Sequence, residues 1–303
     1  MNTTNRKTRI LASTGLLGAA MIWGFSFVIV KNSLDIVPTI YMLAFRFTIA
    51  TITLAVIFWK KLKELNRKIV LEGLILGALL FISYVLQTEG CKYTTAGKNA
   101  FLTTVYIIIV PFLYWIITHK RPDKYSFMAA FLAMVGIGLL SLQGDLRMNI
   151  GDFLTLMCGF VFAGHLVGIS HFTKKSDPIL LTILQMFFTA AFSWFGTIFW
   201  GGEFGAINIS GELITSMLYL GVLSSATGFL LQTVSQRYVA PSTVALLIST
   251  ESIFGVMFSS LFLGEVMTRR MILGCIILMI AITIAETKLD LSTLFQRTKK
   301  ENT

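Results

Sequence analysis

The sequence predicts an all-α polytopic membrane protein with ten transmembrane helices in two inverted five-helix repeats. Four observations carry that expectation. Apolar runs of about 20 residues, each long enough to cross a bilayer, recur along the whole chain. Of its 303 residues 55% are hydrophobic and only 13% charged, against about a quarter charged in a soluble domain. One stretch also occurs twice: Leu86-Gln87-Thr88, Lys92-Tyr93 and Ala100-Phe101-Leu102 return as Leu231-Gln232-Thr233, Arg237-Tyr238 and Ala245-Leu246-Leu247, in register 145 positions later. Six identities and one basic swap in the same helix–turn–helix setting point to duplicated halves. Finally, the Lys and Arg residues gather between the apolar runs and mostly in alternate connections, as membrane topology requires.

In order, the predicted spans are roughly 10–30, 39–59, 69–90, 96–117, 125–143, 151–172, 179–200, 212–235, 241–263 and 268–286. The first follows the short basic segment Met1 to Arg9 and is too long for a signal-peptide core, so it reads as a retained span. The second follows Pro38 and stops at Lys60. The third opens after Arg67 and Lys68 and closes at the Lys92-Tyr93 turn, where the fourth begins. Lys120 to Lys124 separate the fourth from the fifth, and Lys174-Lys175 the sixth from the seventh. The eighth and ninth meet at the Arg237-Tyr238 turn. The tenth opens at Arg269-Arg270 and gives way to a polar, basic tail from Lys288. The predicted units are residues 1–143, 144–287 and the tail 288–303. Every connection is short, so none holds a nucleotide-hydrolysing domain.

With the N-terminus inside, cytoplasmic segments hold 18 Lys and Arg residues and external ones 6, with Arg46 inside a span. That bias predicts both termini in the cytoplasm of a multi-pass protein of the bacterial inner membrane. Arg269 and Arg270 are the main misfit. Five spans per half is an odd number, so the halves cross in opposite senses. Lys92 then falls outside and Arg237 inside, an arrangement found in secondary transporters. The net charge of +10 is placed as topology rather than as a nucleic-acid surface. Cys91, Cys158 and Cys275 are scattered, with no metal-ligand or redox spacing. No phosphate loop, H-E-x-x-H or G-x-S-x-G occurs. No cofactor, metal or catalytic residue is therefore expected, and the chain is read as not an enzyme.

Trp23-Gly24-x-Ser26-Phe27, then Pro38 and Arg46, then Leu263-Gly264-Glu265 and Gly274 resemble the drug/metabolite transporter superfamily, EamA type. The likeness covers nearly the whole chain. It implies ten helices in two inverted halves and a secondary carrier of small metabolites, often amino acids and often outward. Two departures stand out. The family often has Glu-Pro in the ninth helix, where this chain has Glu251-Ser252, which puts a kink there in doubt. The second half has Phe162-Ala163-Gly164-His165 where the first has its Trp-Gly motif.

Glu251 lies near the middle of the ninth span. A carboxylate there is costly unless protonated, paired or hydrated, so it is a candidate for coupling or for anchoring a substrate. The plainer alternative is a structural acid tying helices together. Its repeat partner Tyr106 is expected on the opposite wall of one central cavity. Arg46 is read as a structural or gating residue, with snorkelling, an acid partner or a substrate carboxylate as its possible engagements. Gln185 roughly matches it in the other half. His165 could meet substrate, relay a proton or bond a neighbouring helix. Trp23, Ser26, Tyr84, Asn99, Thr103, Ser225 and Ser249 complete the candidate lining, aromatic with a few polar anchors. Glu89 and Lys98 flank the outer turn, either paired or simply exposed. Trp59, Trp115, Trp194 and Trp200 read as interfacial anchors.

The function these residues predict is alternating-access transport, chiefly export of amino acids or related metabolites. The alternatives are uptake of a cationic solute such as a quaternary amine, or an intramembrane enzyme built on Glu251 and His165. Expected partners are a small-molecule substrate, the lipid bilayer and, where Glu251 titrates, protons. The expected assembly is a monomer or a weak homodimer.

Overall fold

The computed structural model describes residues 6–119, 121, 124–141, 148–200 and 210–287. The predicted boundary at residues 143 and 144, Arg147, the Gly201-Gly202 connection and the tail from residue 288 lie outside these. The described residues form helices and no strands. The helices are α1 (Arg6–Ser33), α2 (Thr39–Ile57), α3 (Arg67–Tyr93), α4 (Ala96–Thr103), α5 (Tyr106–Thr118), α6 (Lys124–Ser141), α7 (Ile150–Phe172), α8 (Pro178–Trp200), α9 (Gly211–Leu218), α10 (Gly228–Gln236), α11 (Pro241–Ile248), α12 (Thr250–Leu263) and α13 (Arg269–Thr287). A short 3₁₀ turn, Trp59–Glu64, follows α2, and a π-helical stretch, Tyr219–Thr227, joins α9 to α10.

Each predicted span coincides with helix, and among the described residues eight stretches are long and apolar enough to cross a membrane. Of the predicted spans, the fourth is α4 with α5, the eighth is α9 to α10, and the ninth is α11 with α12. The two that fall short are α6, whose apolar part is Phe127–Gly136, and α13, which opens on the misfit pair Arg269 and Arg270. These two pack on each other. The surface is apolar, with Ile198, Trp200 and Leu261 each more than two-thirds exposed, whereas Arg46, His165, Gln185, Gln232 and Glu251 are buried. That polarity suits lipid outside and a polar interior. Trp59 carries Lys60 and Lys63 near its ring, and Trp115 carries Arg121.

Packing between the two halves is reciprocal. Helix α3 lies on α7 and α10 lies on α1; α3 meets α8 and the π stretch meets α2; α12 lies on α1 and α5 on α7; α4 lies on α12 and α11 on α5. Close approach depends on glycine in several places. A Cβ on Gly24 would stand 2.4 Å from Phe254 Cβ, and one on Gly255 would stand 2.6 Å from Ala100 Cβ. Other glycines differ from one another: Gly73 and Gly77 press against α8, whereas Gly164 has no neighbour closer than 4.0 Å.

Two spans break near mid-depth, at equivalent places. Helix α4 ends at Thr103 and α5 restarts at Tyr106; α11 ends at Ile248 and α12 restarts at Thr250. Hydroxyls make both breaks. Thr104 Oγ1 donates to the Phe101 carbonyl at 2.6 Å. Ser249 Oγ donates to Leu246 at 2.6 Å, Thr250 Oγ1 to Leu247 at 2.7 Å and Ser252 Oγ to Ser249 at 2.7 Å. Such bonds compete with the helical ladder and tighten it locally into i→i+3 turns. The ninth span is therefore interrupted without the family's proline.

Candidate functional site

A cavity opens between α1, α2, α3, α4, α7 and α12. Its lining includes Trp23, Ser26, Arg46, Tyr84, Asn99, Thr103 and Glu251 from the sequence-derived set. Ser83, Gln87, Thr88, Phe27, Val30, Cys91, Cys158 and Phe162 join them. Free space for a water-sized sphere is about 30 Å³, enough for a water or two but not for a metabolite.

Glu251 and Tyr106 touch. The Tyr106 hydroxyl donates to Glu251 Oε1 at 2.9 Å, and both side chains are buried. They follow the two helix breaks directly, so the irregular backbone sets them face to face. The sequence places them on opposite walls; the structure joins them by a hydrogen bond. Tyr106 stands behind the lining, its ring 5.5 Å from that of Phe162.

The other polar centre is Arg46. Its Nε donates to Ser225 Oγ at 2.6 Å, and Nη2 donates to Ser224 Oγ at 2.7 Å and to the Tyr84 hydroxyl at 3.3 Å. The guanidinium carbon lies 4.6 Å from the centre of the Tyr84 ring, close enough for a cation–π contact. None of these partners is an acid. Ser224 also accepts from Ser26 Oγ at 2.7 Å, and its carbonyl accepts from Trp23 Nε1 at 2.9 Å. The π-helical winding makes this possible, because it turns Ser224 and Ser225 together toward α1 and α2. A Cβ on Gly228 would meet Trp23 Nε1 at 2.6 Å, so the indole depends on a glycine opposite it.

On α4, Asn99 Nδ2 donates to the Gln87 carbonyl at 3.0 Å and to Thr155 Oγ1 at 2.8 Å. Its Oδ1 is buried with no acceptor bond among the described residues. Thr103 Oγ1 donates to the Asn99 carbonyl at 2.9 Å and accepts from Gln87 Nε2 at 3.2 Å. His165 stands apart from this cavity. Its Nε2 lies 2.7 Å from Gln185 Oε1, and its ring stacks behind Phe162 at 5.4 Å. Ser249 is also apart, its hydroxyl committed to the helix break. Ser225 meets the site only through Arg46. Glu89 pairs with Lys92 at 2.8 Å and Lys98 with Asp152 at 2.7 Å, so Glu89 and Lys98 do not pair with each other.

Gln87 and Thr88 were visible in advance as part of the repeated tripeptide. Ser224 carried no such signal, since a serine in an apolar run reads as packing.

A solved structure matches 90% of this chain and 96% of its own, with TM-score 0.73 at 12% identity, which is a likeness of fold. A transporter of Archaeoglobus fulgidus, described as uncharacterized, is 30% identical over 280 residues, covering 92% of this chain and 87% of that protein. YvbV of Bacillus subtilis, described in the same words, is 24% identical over 281 residues, covering 91% and 92%. The sequence model of the EamA-like transporter family matches residues 10–142 and 149–287. With a buried polar cavity inside a bundle of apolar helices and a family match across both halves, the chain belongs to the EamA-like transporter family and is a multi-pass membrane transporter.

Proposed function

We propose that the chain is a secondary carrier that crosses the bacterial inner membrane ten times, in two five-helix repeats of opposite orientation, residues 1–143 and 144–287. Both termini lie in the cytoplasm, and rocking of the repeats exposes the central cavity to each side in turn. The cargo is an amino acid or a related small metabolite, moved outward, with Glu251 as the coupling or anchoring group. The hydrogen bond from Tyr106 to Glu251, between partners 145 positions apart, is the observation that carries this proposal. The reciprocal packing of the halves and the matching helix breaks support it. Uptake of a cationic solute fits less well, because Arg46 lines the same cavity as Glu251.

Solute flux into proteoliposomes tests the proposal. Movement of solute without chemical change is expected, whereas a new product would indicate an enzyme. Glu251→Gln keeps the side-chain volume and removes the titrating proton. If Glu251 couples protons, the variant loses proton-driven accumulation and keeps equilibrium exchange. If it anchors the solute, binding itself weakens by about 1–3 kcal/mol. A folded variant that transports like the parent from mildly acidic to mildly alkaline pH leaves Glu251 a structural acid.

A further inference from the structure

Arg46 is 2% exposed and sits in the wall of the membrane-embedded cavity. Its guanidinium stays protonated in any protein setting, and burying it without a counter-charge is costly. Its recorded partners are nevertheless all neutral: Ser224, Ser225 and Tyr84. The ion pairs among the described residues join other groups. These contacts fix the plane of the guanidinium and leave Nη1 with no hydrogen bond to a described residue. The Tyr84 hydroxyl accepts from Nη2 and donates to none of the described groups. One wall of the cavity therefore offers a positive charge, a free N–H and a free O–H side by side.

We propose that Arg46 and Tyr84 bind the carboxylate of the transported solute. One oxygen accepts a hydrogen bond from Nη1–H and the other accepts one from the Tyr84 hydroxyl, with the guanidinium charge behind both. Among the described residues the cavity is lined by Arg46 and the acid Glu251, with no lysine and no second arginine, so the site suits a single carboxylate and not a dianionic phosphate. Desolvation makes the arrangement selective, since a solute without the carboxylate leaves a buried cation unmatched. The proposal rests on the carrier reading and narrows its cargo to carboxylate-bearing molecules, zwitterionic amino acids among them.

The test is thermal stabilisation of the purified protein by matched probes. Leucine, phenylalanine and serine are each compared with the corresponding carboxamide and the decarboxylated amine. At least one free carboxylate stabilises the parent protein, with an apparent affinity about tenfold or more above that of its carboxamide. In Arg46→Gln that preference falls to near unity. Arg46→Lys keeps the charge but not the fork and retains part of it, and Tyr84→Phe keeps the ring and loses part of it. The two milder variants supply the answer if the glutamine variant does not fold. Equal stabilisation by carboxamides and amines overturns the proposal. So does a set in which no carboxylate stabilises the protein, or a folded Arg46→Gln that keeps the full preference. Flux separates this from the carrier reading. Transport of amines alone leaves a carrier and removes the carboxylate anchor. Carboxylate binding with no flux of any probe keeps the anchor and removes the carrier.

Discussion

Asp177 performs two tasks at the head of α8. Its Oδ1 accepts from the backbone N–H groups of Ile179 at 2.8 Å and Leu180 at 3.1 Å, and its Oδ2 accepts from Lys61 Nζ. Burial pushes its carboxyl upward, but the bonds to Lys61 and to the two amides outweigh that and hold it below the usual Asp value. A carboxylate lowered in this way stabilises the fold above its ordinary range, and the stabilisation is lost as pH falls through the lowered folded value. Asp177→Asn preserves the cap and removes the charge. Its melting temperature in detergent should fall below the parent's at neutral pH, and the two should converge as the pH falls through the lowered folded value. The difference should be small, because the pair is partly exposed and screened. A gap that persists unchanged in acid would assign the effect to packing. Glu251 and Arg46 were legible in the sequence because charge inside an apolar run is expensive. Ser224 and Ser225 were not, because their importance comes from the π-helical register that aims them at Arg46.

Elements read well from the chain where apolarity alone decides them. The predicted spans coincide with helices to within a few residues, and the errors fall where side chains rewire the backbone. Without a proline after Glu251, the sequence left a kink in doubt. The structure shows a break in the helix there, at Ser249, Thr250 and Ser252, whose hydroxyls take up carbonyls that an unbroken helix would use internally. Thr104 does the same in the first half. Close packing was partly legible, since Gly24 stands in a recognisable motif, but its partner on α12 was not. Gly24→Ala places a methyl group 2.4 Å from Phe254 Cβ and 2.9 Å from the Gly255 nitrogen, so α1 and α12 must separate. The expected cost is about 1–3 kcal/mol. Gly18→Ala, on the same helix with nothing within 4 Å, should be neutral or slightly stabilising. Equal melting temperatures for the two variants would show that α1 and α12 do not need their close approach.

For the whole molecule, the charge bias between apolar runs makes a directional prediction. Reporter fusions after Lys63 and after Lys174 should report cytoplasm, and fusions after Lys92 or within Gly201-Gly202 should report the exterior. A cytoplasmic signal from Gly201 would refute the ten-crossing, opposed-repeat arrangement. The bond between Tyr106 and Glu251 carries a genetic consequence. Neither half of the gene encodes both members of that pair, so the halves are complementary rather than interchangeable. Residues 1–143 and 144–303 made as two separate polypeptides should reconstitute transport in one cell. A tandem of two first halves would set phenol against phenol and supply no carboxylate. A tandem of two second halves would set two carboxylates against each other, and such neighbours cannot both ionise at low cost. The fused gene can thus keep an acid at one copy of the position and its hydrogen-bond donor at the other, an asymmetry that two identical copies of either half could not encode.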